Sequence, residues 1–100
     1  MIIYNVTVGI DTDIESEWLN WMVDIHIPKV METGFFLSFE IYKVLSHEDE
    51  GCSYSVQYRA ESMDKLDAYL NGPAPSLIKE HLDQFRDRHV AFRSVLEKVG

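Results

Sequence analysis

One hundred residues, 46% apolar and 26% charged, describe one globular domain and exclude disordered, collagen-like and low-complexity chains. Seventeen Asp and Glu against nine Lys and Arg give a net charge of −8 with no basic run, which argues against nucleic acid or an anionic membrane as a partner. The lone Cys52 closes no internal disulfide, nothing near Met1 reads as an export signal, and no stretch approaches the roughly 20 apolar residues that span a bilayer, so a cytoplasmic location is expected.

Residues 2 to 10 alternate, with Tyr4, Val6, Val8 and Ile10 on one side and Asn5, Thr7 and Gly9 on the other. This predicts a half-buried strand. Thr12 and Glu15 have the spacing of a capping box, and Asp11, Asp13, Glu15 and Glu17 put negative charge where a helix dipole is positive. A helix is predicted from Thr12 to about Thr33, stopping at Gly34. Phe35 to Leu45 reads as a strand and Ser46 to Gly51 as a polar turn, with His47-Glu48-Asp49-Glu50 as an acidic tip. Cys52 to Ala60 reads as the antiparallel return strand.

Ser62 caps a second helix through Met63, Leu66, Tyr69 and Leu70, which Asn71 to Pro75 interrupts before Ser76 to about Arg88 resumes. His89 to Val99 alternates once more and makes the last strand. The order strand, helix, strand, strand, helix, strand predicts a single α+β domain over residues 1–100 of ferredoxin-like βαββαβ form. A four-stranded antiparallel sheet carries both helices on one face, the second helix being broken near Pro73 to Pro75.

Two features exceed what a lone domain buries. On a helical wheel, Trp18, Leu19, Trp21, Met22, Val23, Ile25, Ile27 and Val30 spread over about 240°, far wider than one core stripe. Either that helix packs on two partners, or Pro28 kinks it and changes its inward side. The Phe35 to Leu45 strand is apolar on both faces as well. A homodimer paired through the helix-free sheet face is the expected assembly.

His26 stands in the apolar arc of the first helix, and His81 lies on the inward side of the last one. Both are candidate catalytic residues, because a buried imidazole titrates close enough to neutrality to carry a proton, although a structural hydrogen bond would also explain it. Trp18, Trp21, Tyr54, Tyr58 and Phe85 are candidate ligand-binding walls of the same cleft, with Tyr69 beside them. Arg93 joins the ligand set within a polar group that includes Glu40, Gln57 and Arg59. If Arg59 and Arg93 share the helix-free face, they could hold a carboxylate or bridge to Glu40; ion pairs across a dimer are the plainer reading.

No metal-ligand spacing, phosphate loop or nucleophile elbow is present, and Cys52 on an apolar strand face reads as core, so neither metal nor cofactor is expected. Two functions follow. One is a small-molecule binding protein or enzyme that uses the cleft between helices and sheet; the other is a non-catalytic homodimer whose acidic surface engages a protein.

Trp18-Leu19-Asn20-Trp21-Met22, His26-Ile27-Pro28, Gly34-Phe35-Phe36, Tyr54-Ser55-Val56-Gln57-Tyr58, Ala74-Pro75, His81 and Ala91-Phe92-Arg93 together resemble the bacterial domain-of-unknown-function family DUF4286. The resemblance covers nearly the whole chain and implies a short bacterial protein without an assigned activity. The family often has a His where Pro73 stands, a departure that weakens any role for a third cleft histidine. At the level of fold the chain is also similar to dimeric α+β barrels, which include cofactor-free monooxygenases, haem-degrading enzymes and stress-response dimers. Fold alone transfers no chemistry.

Overall fold

Alternating apolar residues, rich in β-branched and aromatic types, build four strands: β1 (Ile2–Ile10), β2 (Ser38–Val44), β3 (Cys52–Ala60) and β4 (His89–Glu97). The structure is a computed structural model that describes residues 1–46 and 51–100, so the acidic tip His47 to Glu50 lies outside the described residues. The sheet is antiparallel throughout, in the order β2-β3-β1-β4. This is the ferredoxin-like arrangement.

Register fixes which residues share a face. Val6 stands between Val56 and Arg93, and Tyr4 between Tyr58 and Val95, so odd residues of β3 and even residues of β4 look away from the helices. The helix side holds the core: Tyr4, Val8, Ile10, Tyr54, Val56, Tyr58 and Ala60 are buried there. On the other side Asn5 donates to Thr7 Oγ1 at 3.0 Å and Ser94 Oγ at 3.2 Å, and accepts from Ser55 Oγ at 2.6 Å.

The first helical arm departs from one regular helix. A 3-10 turn over Thr12–Ile14 leads into α1 (Glu15–Trp21), a π turn over Met22–His26, and α2 (Ile27–Glu32). At the helix entry neither Asp11 nor Ile14 makes a side-chain cap bond, and Asp11 and Asp13 take the Arg88 guanidinium at 2.7 Å each. In the π turn the Ile27 N–H reaches back five residues to the Met22 carbonyl. Five-residue spacing brings Met22 and Ile27 to one face, so Trp18, Met22, Ile27 and Val30 are all buried together. The broad apolar arc is therefore largely two narrow stripes joined by a change of register, with Val23 and Ile25 left exposed. Gly34 ends the arm at φ +81°, the left-handed conformation expected of it.

The second strand begins at Ser38, three residues later than predicted. Phe36 turns inward from the preceding loop, stacking edge-on against Tyr69 at 4.7 Å and near Tyr58 at 5.1 Å, which removes it from the strand alternation. Ser62 caps α3 (Met63–Asn71), its Oγ accepting the Lys65 N–H at 3.3 Å. At the break, Gly72 passes so close to the Ala68 carbonyl that a Cβ would stand 2.9 Å from its oxygen. The helix resumes as α4 (Ala74–Phe85), two residues earlier than expected, because Pro75 is tolerated in a first turn whose N–H groups have no partner. A 3-10 turn over Arg86–Arg88 takes the place of its expected last turn. The closing strand stops at Glu97, short of Val99. Among the described residues no helix is long and apolar enough to cross a membrane.

Candidate functional site

A cleft opens where the helical layer leaves the sheet incompletely covered. Tyr4 from β1, Tyr58 from β3, Tyr69 from α3, His26 from the π turn, His81 from α4 and Arg93 from β4 converge on it. Val6, Val8, Met22, Val30, Val56, Leu77 and Ile78 supply apolar walls. It encloses about 430 Å³ of space between atoms, its mouth included, much of it narrower than a water molecule. A ligand of any size therefore moves side chains as it enters.

His81 is buried, and its Nε2 accepts the Trp18 indole N–H at 2.9 Å. That bond fixes the tautomer with the proton on Nδ1 and keeps the ring neutral. The His26 ring stacks on Trp21 at 5.1 Å and meets His81 edge-on at 5.9 Å, while His89 lies edge-on to His81 at 4.6 Å. The Nδ1 atoms of His26 and His89 are buried with no hydrogen-bond partner. Burial pulls the His26 pKa down to about 4, opposed by Glu80 and reinforced by Lys29 and Arg93. Burial likewise pulls His81 down to about 3, with His89, His26 and Arg93 adding positive neighbours. His26 and His81 thus share an aromatic nest in which positive charge on either ring is disfavoured.

Arg93 extends from edge strand β4 to the mouth of the cleft, where its positive charge opposes the effect of burial on the Tyr4 hydroxyl. Burial raises the Tyr4, Tyr58 and Tyr69 hydroxyls, so all three are neutral donors at pH 7. Among the described residues no carboxylate forms an ion pair with Arg93.

The structure distributes the candidate residues unevenly. His26, His81, Tyr58, Tyr69 and Arg93 line the cleft. Trp18, Trp21 and Phe85 stand behind the histidines as supports; Trp18 is fully buried, and Phe85 packs edge-on to Trp21 at 5.3 Å. Tyr54 is turned elsewhere, donating to Glu15 at 2.5 Å beside Lys43, and burial pushes its hydroxyl up to about 12. Arg59 and Arg93 do not share a face: Arg59 pairs with Ile3 on the helix-free side, and Arg93 with Val6 on the helix side. A shared carboxylate grip is therefore excluded. Glu40 accepts the Tyr42 hydroxyl at 2.5 Å. Cys52 is buried, which raises its thiol and suits a core role.

Tyr4 and His89 were absent from the predicted site. Both were within reach of the alternation, since Tyr4 stands in the inward row of β1 and His89 begins the row that continues through Ala91 and Arg93. Among the described residues no group of three His, Cys, Asp or Glu side chains is placed to hold a metal ion.

A model of a domain of unknown function, DUF4286, matches residues 1–99. No curated protein matches the chain. An EthD-family protein from Bacillus halodurans superposes with a TM-score of 0.69 at 8% identity, covering 99% of this chain and 100% of the other. A protein described as dimeric ferredoxin-like, from an uncultured marine organism, gives 0.62 at 12% identity over 95% and 92%. A mutant of MhuD with two manganese protoporphyrin IX bound per active site gives 0.63 at 21% identity over 100% and 99%. At these identities the likeness is one of fold.

Proposed function

The chain belongs to the DUF4286 family, a domain of unknown function, and on that premise we propose that it binds, and through His26 transforms, a small organic molecule in the cleft between helices and sheet. The observation that carries this reading is the pairing of a gap in the core with unsatisfied polarity. His26 lines the cleft with an Nδ1 that has no partner, Arg93 stands at its mouth without a carboxylate, and three neutral tyrosines surround them. A purely structural core would cover such groups or leave them out. Small-molecule binding by one structural neighbour supports the reading by analogy of fold.

His26 is the proton-transferring or hydrogen-bonding group in this reading, and His81 the second polar contact, held in one tautomer by Trp18. With its pKa near 4, His26 is neutral when the cleft is empty. An anionic ligand beside it would raise that value and let it take up a proton, so protonation would follow occupancy. We place the protein in the bacterial cytoplasm as a homodimer joined through the helix-free sheet face. Exposed Val90, Phe92 and Leu96 on that face, and the dimeric description of one structural neighbour, support the assembly.

The test is a screen of small organic molecules followed by the imidazole NMR signals of His26 and His81. A binder is expected to shift both, and His26→Ala should change its affinity or turnover on the order of tenfold, the effect of leaving one buried polar contact unmade. If the alanine variant binds and turns over every such molecule as the parent does, His26 has no part in the function.

A further inference from the structure

Beside the cleft lies a groove between α4 and β4, with about 590 Å³ of space between atoms, its open side included. Ile78, His81, Ala91 and Arg93 line both compartments, so the two are joined along one wall. The inner part is aromatic and aliphatic; the outer part adds Arg86, His89, Val90 and the exposed side chain of Leu82. Polarity therefore rises from the cleft to the adjoining groove. Of the chain's 17 acidic residues, none among those described lines either compartment.

The two arginines lining these compartments differ from four of the chain's seven other cations. Lys29, Lys43, Lys79 and Arg88 each have a carboxylate oxygen within 2.6 to 2.9 Å. Among the described residues Arg86 has only Asp83 at 3.8 Å, an acid already held by Lys79 at 2.6 Å. Arg93 has none among the described residues. Arg86 is also the one described residue other than glycine with a positive φ, +28°, where it closes α4. Glycine would adopt that conformation with less strain. A strained arginine, weakly paired and facing a groove without acids, is placed where its charge rather than its backbone fits.

Resting on the reading of the cleft as a ligand site, we propose that its ligand is an amphipathic monoanion, with its apolar body in the inner chamber and its anionic group held by Arg93 and Arg86 in the outer groove. The acidic surface of the chain would repel such a molecule everywhere else, and these two guanidinium groups would give it one place and one orientation. Its apolar end would lie among Tyr58, Val56 and Met22, beneath His26 and His81.

Octanoate, octanol and octylammonium share one chain length and differ in charge, so titrating each into the full-length protein separates the two readings. Octanoate is expected to bind roughly tenfold or more tightly than octanol, as a charge-assisted contact adds, and octylammonium more weakly than either. Arg93→Gln should bring octanoate down to the octanol level. Arg86→Gly should weaken octanoate while raising Tm by roughly 4 to 8 °C as the backbone strain is relieved; this combination excludes damage to the fold as the cause of weaker binding. Octanol binding as well as octanoate, with both variants unchanged, would overturn the anion assignment and leave the cleft standing. If none of the three moves the His26 or His81 signals, the cleft reading itself fails.

Discussion

His81 sits where three demands meet: it accepts from Trp18, it faces two other imidazoles, and it is cut off from water. Its pKa of about 3 in the folded chain lies below the ordinary 6.5, so the unfolded chain takes up a proton that the folded one refuses. The resulting stability is fully present above pH 6.5 and is lost as pH falls toward the folded value, at about 1.4 kcal/mol per pH unit. His26 acts in the same direction, its window closing near pH 4. Glu15, lowered by Tyr54 and Lys43, and Asp83, lowered by Lys79, also lose their contributions in acid, but only below the ordinary carboxylate range. Urea unfolding at pH 7 and pH 5 therefore isolates the imidazoles. In His81→Gln, whose amide oxygen can still accept from Trp18, the loss between those two values is expected to shrink by roughly 2 kcal/mol; an unchanged loss would mean that His81 is not held neutral by its surroundings. Both cleft histidines were legible in the sequence, because each stands in an apolar stripe where a leucine would pack. The partnership with Trp18 was not, since it joins residues 63 positions apart through the fold.

The π turn is the element that a regular helical wheel misplaces. It inserts one residue between two apolar stripes and lets the chain pass Pro28, whose ring would otherwise strike the carbonyl four residues back and whose missing N–H removes a bond. Insertion and proline should therefore be coupled. Deleting the exposed Asp24 makes a continuous α-helix with Met22 and Ile27 still on one face, but places Pro28 in its interior at about 3 kcal/mol. Combining that deletion with Pro28→Ala should recover most of the loss, whereas Pro28→Ala alone should change stability by less than about 1 kcal/mol, because the π turn already accommodates the ring. Strict additivity in chemical denaturation would show that Pro28 has no part in the turn. The strands were easier to read. In β3 the alternation Cys52, Tyr54, Val56, Tyr58, Ala60 gives the element, its ends and its buried face, because period two survives any pairing. Which strand lies beside which was less accessible: the faces of Arg59 and Arg93 depend on the register of β1 against β3 and β4, a long-range property.

At the scale of the whole molecule, the helix-free side of the sheet is the face through which the proposed homodimer would pair. Its centre is polar and internally satisfied, with Asn5 bound to Ser55, Ser94 and Thr7. Around that centre Val90 is 71% exposed, Phe92 64%, Tyr42 47% and Leu96 42%. A self-satisfied polar centre loses little when water leaves, and the exposed side chains gain from burial, so the face can pair with a second copy without stranding hydrogen bonds. A stable dimer buries roughly 800 Å² on each partner, about an eighth of the 6143 Å² surface of one chain. Each copy carries −8, and the two repel. The proposed homodimer should therefore tighten as salt rises from a few millimolar to physiological ionic strength, where the Debye length falls to about 8 Å. Phe92→Asp places a charge at the centre of the apolar group and should yield a monomer that keeps the parent's circular dichroism and His81 NMR signals, since Phe92 points away from the helices. Sedimentation equilibrium at micromolar concentration decides it: a parent chain with the mass of one copy at every salt concentration would remove the dimer, and a Phe92→Asp variant that still pairs would move the interface to another surface.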